Sequence, residues 1–309
     1  ITTDHSTGIT VTGTQTNRSS LTGGSVSVDA DAKEGISSLL IAAAGAQYAA
    51  VSASVNVNRQ LSDVSASVNQ TEVMGSYAQN ANHLGRITTS AIAAAGSQYA
   101  AVPVSVVINY TDNAVSSSLA HSILRAEGQA ASVGANRISE LSSLNVTASG
   151  AIYGAAAGLV NVNTIEGGTT AEVNDSEVKA GQFSINAENQ DHLKVTDVTA
   201  TGAIGSLGAS VVVSYLKGSS AANLRNSSVT ADKLTVSSLQ DHFVKGTAAF
   251  ASGGLGAIGA NVFSLIIGSG DNPFASNPQD LGKAENTVNK YLSEYASSSR
   301  GSLGFINES

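Results

Sequence analysis

The sequence predicts an all-β chain folded as a parallel β-solenoid, and three observations predict it. First, a glycine recurs at Gly45, Gly96, Gly150, Gly202 and Gly253, at intervals of 51, 54, 52 and 51 residues. Each follows small residues, as in Ala42-Ala43-Ala44-Gly45 and Ala93-Ala94-Ala95-Gly96. Second, ten residues past each glycine an apolar residue sits in a strand-like run: Val55, Val106, Val160, Val212 and Phe263. A phase kept over five copies means one unit stacked on itself. Third, the chain is 42% hydrophobic yet has no Trp, one Met, six Phe and 31 Gly. Its apolar content is mostly Ala and Val, which suits a thin core between closely stacked strands.

Charge and cysteine content narrow the function classes. Only 12% of residues are charged, and the net charge of −8 with 15 Lys plus Arg disfavours nucleic acid or an anionic membrane surface as partner. The absence of cysteine excludes a disulfide scaffold, a zinc-thiolate site and a thiol nucleophile. The chain begins at Ile1 and shows no signal peptide. Its longest apolar stretch, residues 253–268, is interrupted by glycine and too short for a helix to cross a bilayer. It therefore reads as an excised segment, not itself membrane-spanning, in which residues 9–32 resemble the end of a repeat whose beginning is missing.

The units fall near residues 35–84, 85–140, 141–192, 193–242 and 243–267, within a solenoid spanning 1–267. The fourth shows the pattern best. Leu193-Lys194-Val195-Thr196-Asp197-Val198 alternates as a strand with one buried face does. After residues 202–208, Ala209-Ser210-Val211-Val212-Val213-Ser214-Tyr215-Leu216 is rich in β-branched residues, and Lys217-Gly218-Ser219-Ser220 reads as a turn. Residues 222–231 follow, then a second turn at Asp232-Lys233, with the unit closing on Gln240-Asp241-His242. Four or five short strands in about 51 residues predict two coils of roughly 25 per repeat. About ten coils at roughly 4.8 Å each would make a rod about 50 Å long.

Two regions break the pattern. Residues 123–141 run about three residues longer than their counterparts and contain Gly128-Gln129-Ala130-Ala131, which predicts a bulged turn or a short helical turn. Beyond residue 267 the repeat stops, and residues 268–309 read as a loop and then a helix over about 280–296. Val288, Tyr291, Leu292 and Tyr295 follow the spacing of one apolar helix face. That helix either caps a solenoid end or is a surface insertion, and its apolar face is a candidate partner-binding element.

Tyr48, Tyr99 and Tyr153 each lie three residues past the landmark glycine, where the next copies have Gly205 and Gly256. A row of rings on one face is a candidate surface for sugar rings of a glycan; alternatively the rings cover small-residue core with the hydroxyls toward water. Histidines occur in Asn82-His83-Leu84 and in two Gln-Asp-His triplets ending at His192 and His242. Equivalent positions two coils apart would be about 10 Å distant, too far to share an ion, so these read as repeated polar turn residues. Gly268-Ser269-Gly270-Asp271-Asn272 is a single copy of a calcium-roll-like fragment, and no Gly-Lys-Ser/Thr phosphate loop is present. The pairs Asp29/Asp31 and Glu172/Asp175 read as solvated surface, and sequons at Asn69, Asn145 and Asn226 are frequent by chance in a chain this rich in Asn, Ser and Thr. No residue is assigned a catalytic, metal-binding or cofactor-binding role.

Residues 202–213 followed by Ala222-Asn223-Leu224-Arg225-Asn226-Ser227-Ser228-Val229-Thr230-Ala231 and Leu234-Thr235-Val236-Ser237-Ser238, with a close copy at residues 171–189, resemble a known repeat. It is that of leukotoxin-like and filamentous-haemagglutinin-like adhesins and autotransporter passengers of Gram-negative bacteria. The resemblance spans about residues 9–267. It implies a right-handed solenoid that crosses the outer membrane unfolded by type V secretion and then stands on the cell surface or is shed. The expected function is a structural and adhesive stalk, a monomeric rod that binds a host or bacterial surface protein or glycan. The alternative is a β-helical polysaccharide lyase or hydrolase, which needs a groove of clustered charge that 15 basic and 23 acidic residues spread over 309 positions do not suggest.

Overall fold

A computed structural model describes residues 1–14 and 17–268. Every regular element among them is a strand: β1 (Thr2–Thr12), β2 (Ser19–Ala46), β3 (Ala49–Asn69), β4 (Thr71–Ser97), β5 (Ala100–Ala120), β6 (Ile123–Gly150), β7 (Gly154–Asn174), β8 (Glu177–Gly202), β9 (Gly205–Arg225), β10 (Ser228–Gly253) and β11 (Gly256–Ile267). Odd strands form one parallel sheet in the order β1-β3-β5-β7-β9-β11, and even strands form the other, β10-β8-β6-β4-β2. The chain passes from one sheet to the other and back, so the fold is the parallel β-solenoid that the repeat predicts. The landmark glycines form one column, with Gly45 paired to Gly96, Gly96 to Gly150, Gly150 to Gly202 and Gly202 to Gly253. Val288, Tyr291, Leu292 and Tyr295, expected to share one apolar helix face, lie outside the described residues.

The coil is twice as long as expected. Ala49 pairs with Ala100 and Gly154 with Gly205, so residues one whole repeat apart are hydrogen-bonded neighbours. Each repeat is therefore one coil of two long strands, not two coils of three short ones. The stack of about five coils rises roughly 25 Å, while a strand of 21 residues runs about 70 Å. The supposed turns are continuous strand. Lys217-Gly218-Ser219-Ser220 lies within β9, and both Asp232-Lys233 and Gln240-Asp241-His242 lie within β10. Polarity in these runs marks no change of direction: Asp232, Lys233, Gln240 and Asp241 are exposed on a continuous strand, and Lys217 and Ser220 are half-buried.

Two corners close each coil. At one, Gln70, His121, Asp175 and Asn226 take left-handed φ values of 50, 48, 48 and 47°. Each is followed by a hydroxyl residue whose Oγ donates to the carbonyl two residues back: Thr71 to Asn69, Ser122 to Ala120, Ser176 to Asn174 and Ser227 to Arg225. The same oxygens accept from the coil beneath, as Ser122 Oγ does from the Thr71 amide at 3.1 Å. Every corner thus satisfies its backbone through the next one. At the other corner lie Tyr48, Tyr99 and Tyr153.

Between the corners the interior changes character. Beside the hydroxyl corner is an apolar core that includes Val64, Val68, Val73, Tyr77, Leu119, Leu124, Val133, Val173, Phe183 and Ile185. Midway stands a buried polar and charged seam around Arg137. A thin apolar belt comes next, containing Ile36, Ile87, Leu141, Ile165, Leu193, Val212 and Leu216. From there to the tyrosine corner the inward side chains are mostly Ser, Thr and Asn. The extra length of residues 123–141 is a bulge. The register of β6 against β8 jumps between Ala126 and Ala130, with Gly128 at φ 69°.

Candidate functional site

The tyrosine half of the coil has inverted polarity, which follows from strand alternation. In β3, Ser52, Ser54, Asn56 and Asn58 point inward and are buried, while Val51, Val55 and Val57 point outward and are exposed. In the neighbouring strand Ser105 and Asn109 are inside with Val107 buried between them, and Val102, Val104, Val106 and Ile108 are outside. On the facing sheet Thr89, Ser143, Asn145, Thr147 and Thr199 are inside, and Leu39, Ile41, Ile92, Leu144, Val146 and Val198 are outside. Not every outward apolar residue is open, since Val162, Val211 and Val213 share that register and are buried.

Many of the inward polar groups pair with one another, while Asn145 Oδ1, Asp197 Oδ2 and the hydroxyls of Ser149, Thr201, Ser210 and Ser214 are buried with no hydrogen-bond partner among the described residues. Asn58 Nδ2 donates to Asn109 Oδ1, and Asn109 Nδ2 to Asn163 Oδ1, each at 2.9 Å. Asn58 Nδ2 also reaches Thr89 Oγ1 on the facing sheet at 2.9 Å. Asp197 Oδ1 accepts from Asn145 at 2.7 Å and Asn161 at 3.1 Å, yet burial still pushes its carboxyl up to about 6. Amide ladders of this kind suit a solenoid, because the one-coil spacing lets each side-chain amide donate to its copy.

At the corner, Tyr48, Tyr99 and Tyr153 stack with centroids 5.6 and 5.2 Å apart and planes tilted by 17 and 18°. They are 66, 49 and 57% exposed, so they rest on each other at a turn and do not cover the core. Counting from the glycine put Gly205 and Gly256 next in the row, but Gly154 pairs with Gly205 and Gly205 with Gly256. The residues preceding them, Ile204 and Leu255, therefore continue the ridge, and both are exposed. The last two corners are simply one residue shorter than the third. The other elements proposed from the sequence are placed differently: the bulge at 126–130 borders a shallow groove lined by Ser76, Tyr77, Ala131, Phe183 and Lys233, far along the coil from the tyrosines.

The central seam went unnoticed in the sequence. Arg137 is fully buried. Its Nε donates to Asn189 Oδ1 at 2.7 Å, its Nη1 to the Glu166 carbonyl, and its Nη2 to Asp191 at 2.5 Å. Burial pushes the Asp191 carboxyl up, against the pull of Arg137 and His242. Two glycines make room. A Cβ at Gly167, where φ is 121°, would lie 2.6 Å from Arg137 Nη1, and one at Gly218 would lie 2.1 Å from Asn189 Nδ2. The glycines in Glu166-Gly167-Gly168 and Lys217-Gly218-Ser219 were the available signal, masked by their likeness to turns.

The histidines are not turn residues. His83 pairs in register with Arg137 and makes no hydrogen bond, and burial, with Arg137 adding to it, pushes its imidazole down to about 4. The triplets are 50 residues apart while the strands pair at 51, so His242 stands over Asp191 instead of His192. Its Nδ1 lies 3.2 Å from Asp191 Oδ2, close enough for an ion pair but not aligned as a hydrogen bond. His192 faces outward, edge-on to Phe243 at 6.0 Å. Asn145, of one chance sequon, is buried in the ladder. Asp29 and Asp31 accept instead from Asn80 and Asn82 of the next coil, at 2.8 and 2.7 Å.

Charge is segregated between the halves. Residues 36–58, 87–109 and 141–165 contain no charged residue, and the equivalent stretches 193–216 and 244–267 hold only Lys194, Asp197 and Lys245. At the boundary on the outer face, Tyr110 donates to Glu166 at 3.0 Å, Arg59 lies over the Tyr110 ring at 5.6 Å, and burial followed by the Glu166 charge pushes Asp112 up. No helix long and apolar enough to cross a membrane, and no group of three or more potential metal ligands, occurs among the described residues. Neither a family model, nor a curated protein, nor a solved structure matches this chain.

Proposed function

We propose that this chain is a segment of an adhesive stalk on a bacterial surface, a binding module and not an enzyme. The observation that carries the reading is the exposed ridge of Tyr48, Tyr99, Tyr153, Ile204 and Leu255 along the stacked coils. Stacked tyrosines offer broad rings and a line of hydroxyls at low conformational cost, which suits a protein or glycan partner on a host or bacterial cell. The solenoid supplies reach, with backbone bonds running from coil to coil. The likeness of residues 9–267 to Gram-negative adhesin repeats supports an extracellular location and type V secretion. Binding of the purified chain to host cells and to a panel of neutral and acidic glycans tests this. Saturable binding, lost on replacing the three tyrosines by serine and accompanied by no new reducing ends or unsaturated sugars, is the expected result. Release of sugar products would favour the β-helical lyase or hydrolase.

A further inference from the structure

The charge-poor half of the solenoid, whose charged residues are Lys194, Asp197 and Lys245, has the polarity of a strand surface that faces hydrocarbon. Outside are Val51, Val55, Val57, Leu39, Ile41 and Leu144, all exposed; inside are amides and hydroxyls joined to one another across coils. Apolar-out and polar-in alternation over about ten residues is the pattern of strands that cross membranes. We propose that this half inserts into a phospholipid bilayer, with the tyrosine corner leading. The proposal is independent of the stalk reading, since it concerns both outer faces and not the ridge alone.

Three observations favour lipid over a protein partner. Apart from the buried Val162, Val211 and Val213, the apolar surface lies on both sheets and around the corner between them, so one flat partner would cover a single face, whereas lipid reaches both. Its depth also fits. Residues 49–58 run from corner to charged boundary in ten residues, about 33 Å, against about 30 Å of bilayer hydrocarbon. Tyrosine marks both ends of that span in β5 and its preceding turn, with Tyr99 at the corner and Tyr110 at the boundary, where Arg59, Asp112 and Glu166 begin the charged surface. Aromatic residues concentrate at both membrane–water interfaces.

Hydrocarbon tolerates no open strand edge, so the inserted form must have its outermost strands covered, which a second copy of the chain can do.

The test is flotation of the full chain with neutral phosphatidylcholine vesicles, which removes any electrostatic attraction. We expect the chain to float, equally in 0.15 and 1 M salt, with chemical cross-linking giving multimers only when vesicles are present. In Tyr99→Trp, emission should shift to the blue on binding and be quenched by spin-labelled lipid. Val55→Lys and Ile41→Lys, one on each outer face and both exposed, should keep the β circular dichroism and float at least tenfold less. A wild-type chain that stays at the bottom overturns the proposal, as does lysine-variant flotation equal to wild type. A lipid-independent dimer that the same lysines dissociate would assign the apolar faces to a second copy instead. Loss of cell binding with flotation intact would defeat the stalk reading and leave this one standing.

Discussion

The two halves of each coil share one backbone trace and one hydrogen-bonding scheme, yet they are filled in opposite ways. Near the hydroxyl corner, Val, Leu and Phe are inside and charged residues are outside, as in any water-soluble sheet sandwich. Near the tyrosine corner, Asn, Ser and Thr are inside and Val, Leu and Ile are outside. Parallel coil stacking makes both tolerable, because a polar residue inside a solenoid meets its own copy at bonding distance. An interior of paired amides is held by specific directional contacts, and one of apolar groups by area removed from water. Between them, the Arg137 seam and the apolar belt of Ile87, Leu141 and Leu193 separate one regime from the other.

The largest effect should come from the seam. Arg137→Met leaves Asp191 buried without its partner and should cost about 3–5 kcal/mol of unfolding free energy. The double change Arg137→Met with Asp191→Leu should recover most of it. Urea unfolding of the three variants checks this; a mild single variant would mean that the seam is hydrated, not sealed. The next effect separates two kinds of glycine. Gly218→Ala pushes a methyl into Asn189 and Asp191 and should cost about 1–3 kcal/mol. Gly96→Ala, in the landmark column, meets nothing within 4 Å and should change stability by less than about 0.5 kcal/mol. Comparable thermal shifts for the two would contradict the packing described.

The pH response sets a group of the central seam against one from the tyrosine half. His83, held down to about 4, contributes stability that is complete above pH 6.5 and is lost as pH falls through 4. Asp197, pushed up to about 6, works in reverse, its contribution complete below pH 3.8 and lost as pH rises through 6. Each amounts to roughly 3 kcal/mol at most, and the two oppose each other between pH 4 and 6. Wild-type stability should therefore be nearly flat there. His83→Gln should become more stable toward pH 4, and Asp197→Asn less stable, as chemical denaturation across that range would report. The smallest stability effect belongs to the ridge. Tyr99→Ser should cost under about 1 kcal/mol while reducing partner binding, since the ring lies at an exposed corner.

How far these features were legible depended on what each sequence signal measured. The glycine period gave the column and parallel stacking, because register follows directly from spacing. The coil is longer than expected because Lys217-Gly218-Ser219-Ser220 and Asp232-Lys233 have the composition of turns yet lie within long strands. Ile204 and Leu255 escaped the tyrosine row, because corner lengths differ by one residue and counting from a glycine cannot see that. His242 over Asp191 was hidden for the same reason, a period of 50 in the triplets against 51 in the strands. Arg137 carried no local signal at all; only the alternation of β6 carried into three dimensions turns it inward.

The inversion itself is open to one direct measurement. The chain has no cysteine, so single cysteines can be introduced at the adjacent positions Ser54 and Val55 and their native-state maleimide labelling rates compared. Val55→Cys, on a position 63% exposed, should label at the rate of a free thiol, and Ser54→Cys, on one 3% exposed, should be protected until the chain unfolds. Protection at 55 with rapid labelling at 54 would place valine inside and serine outside, and would contradict the account.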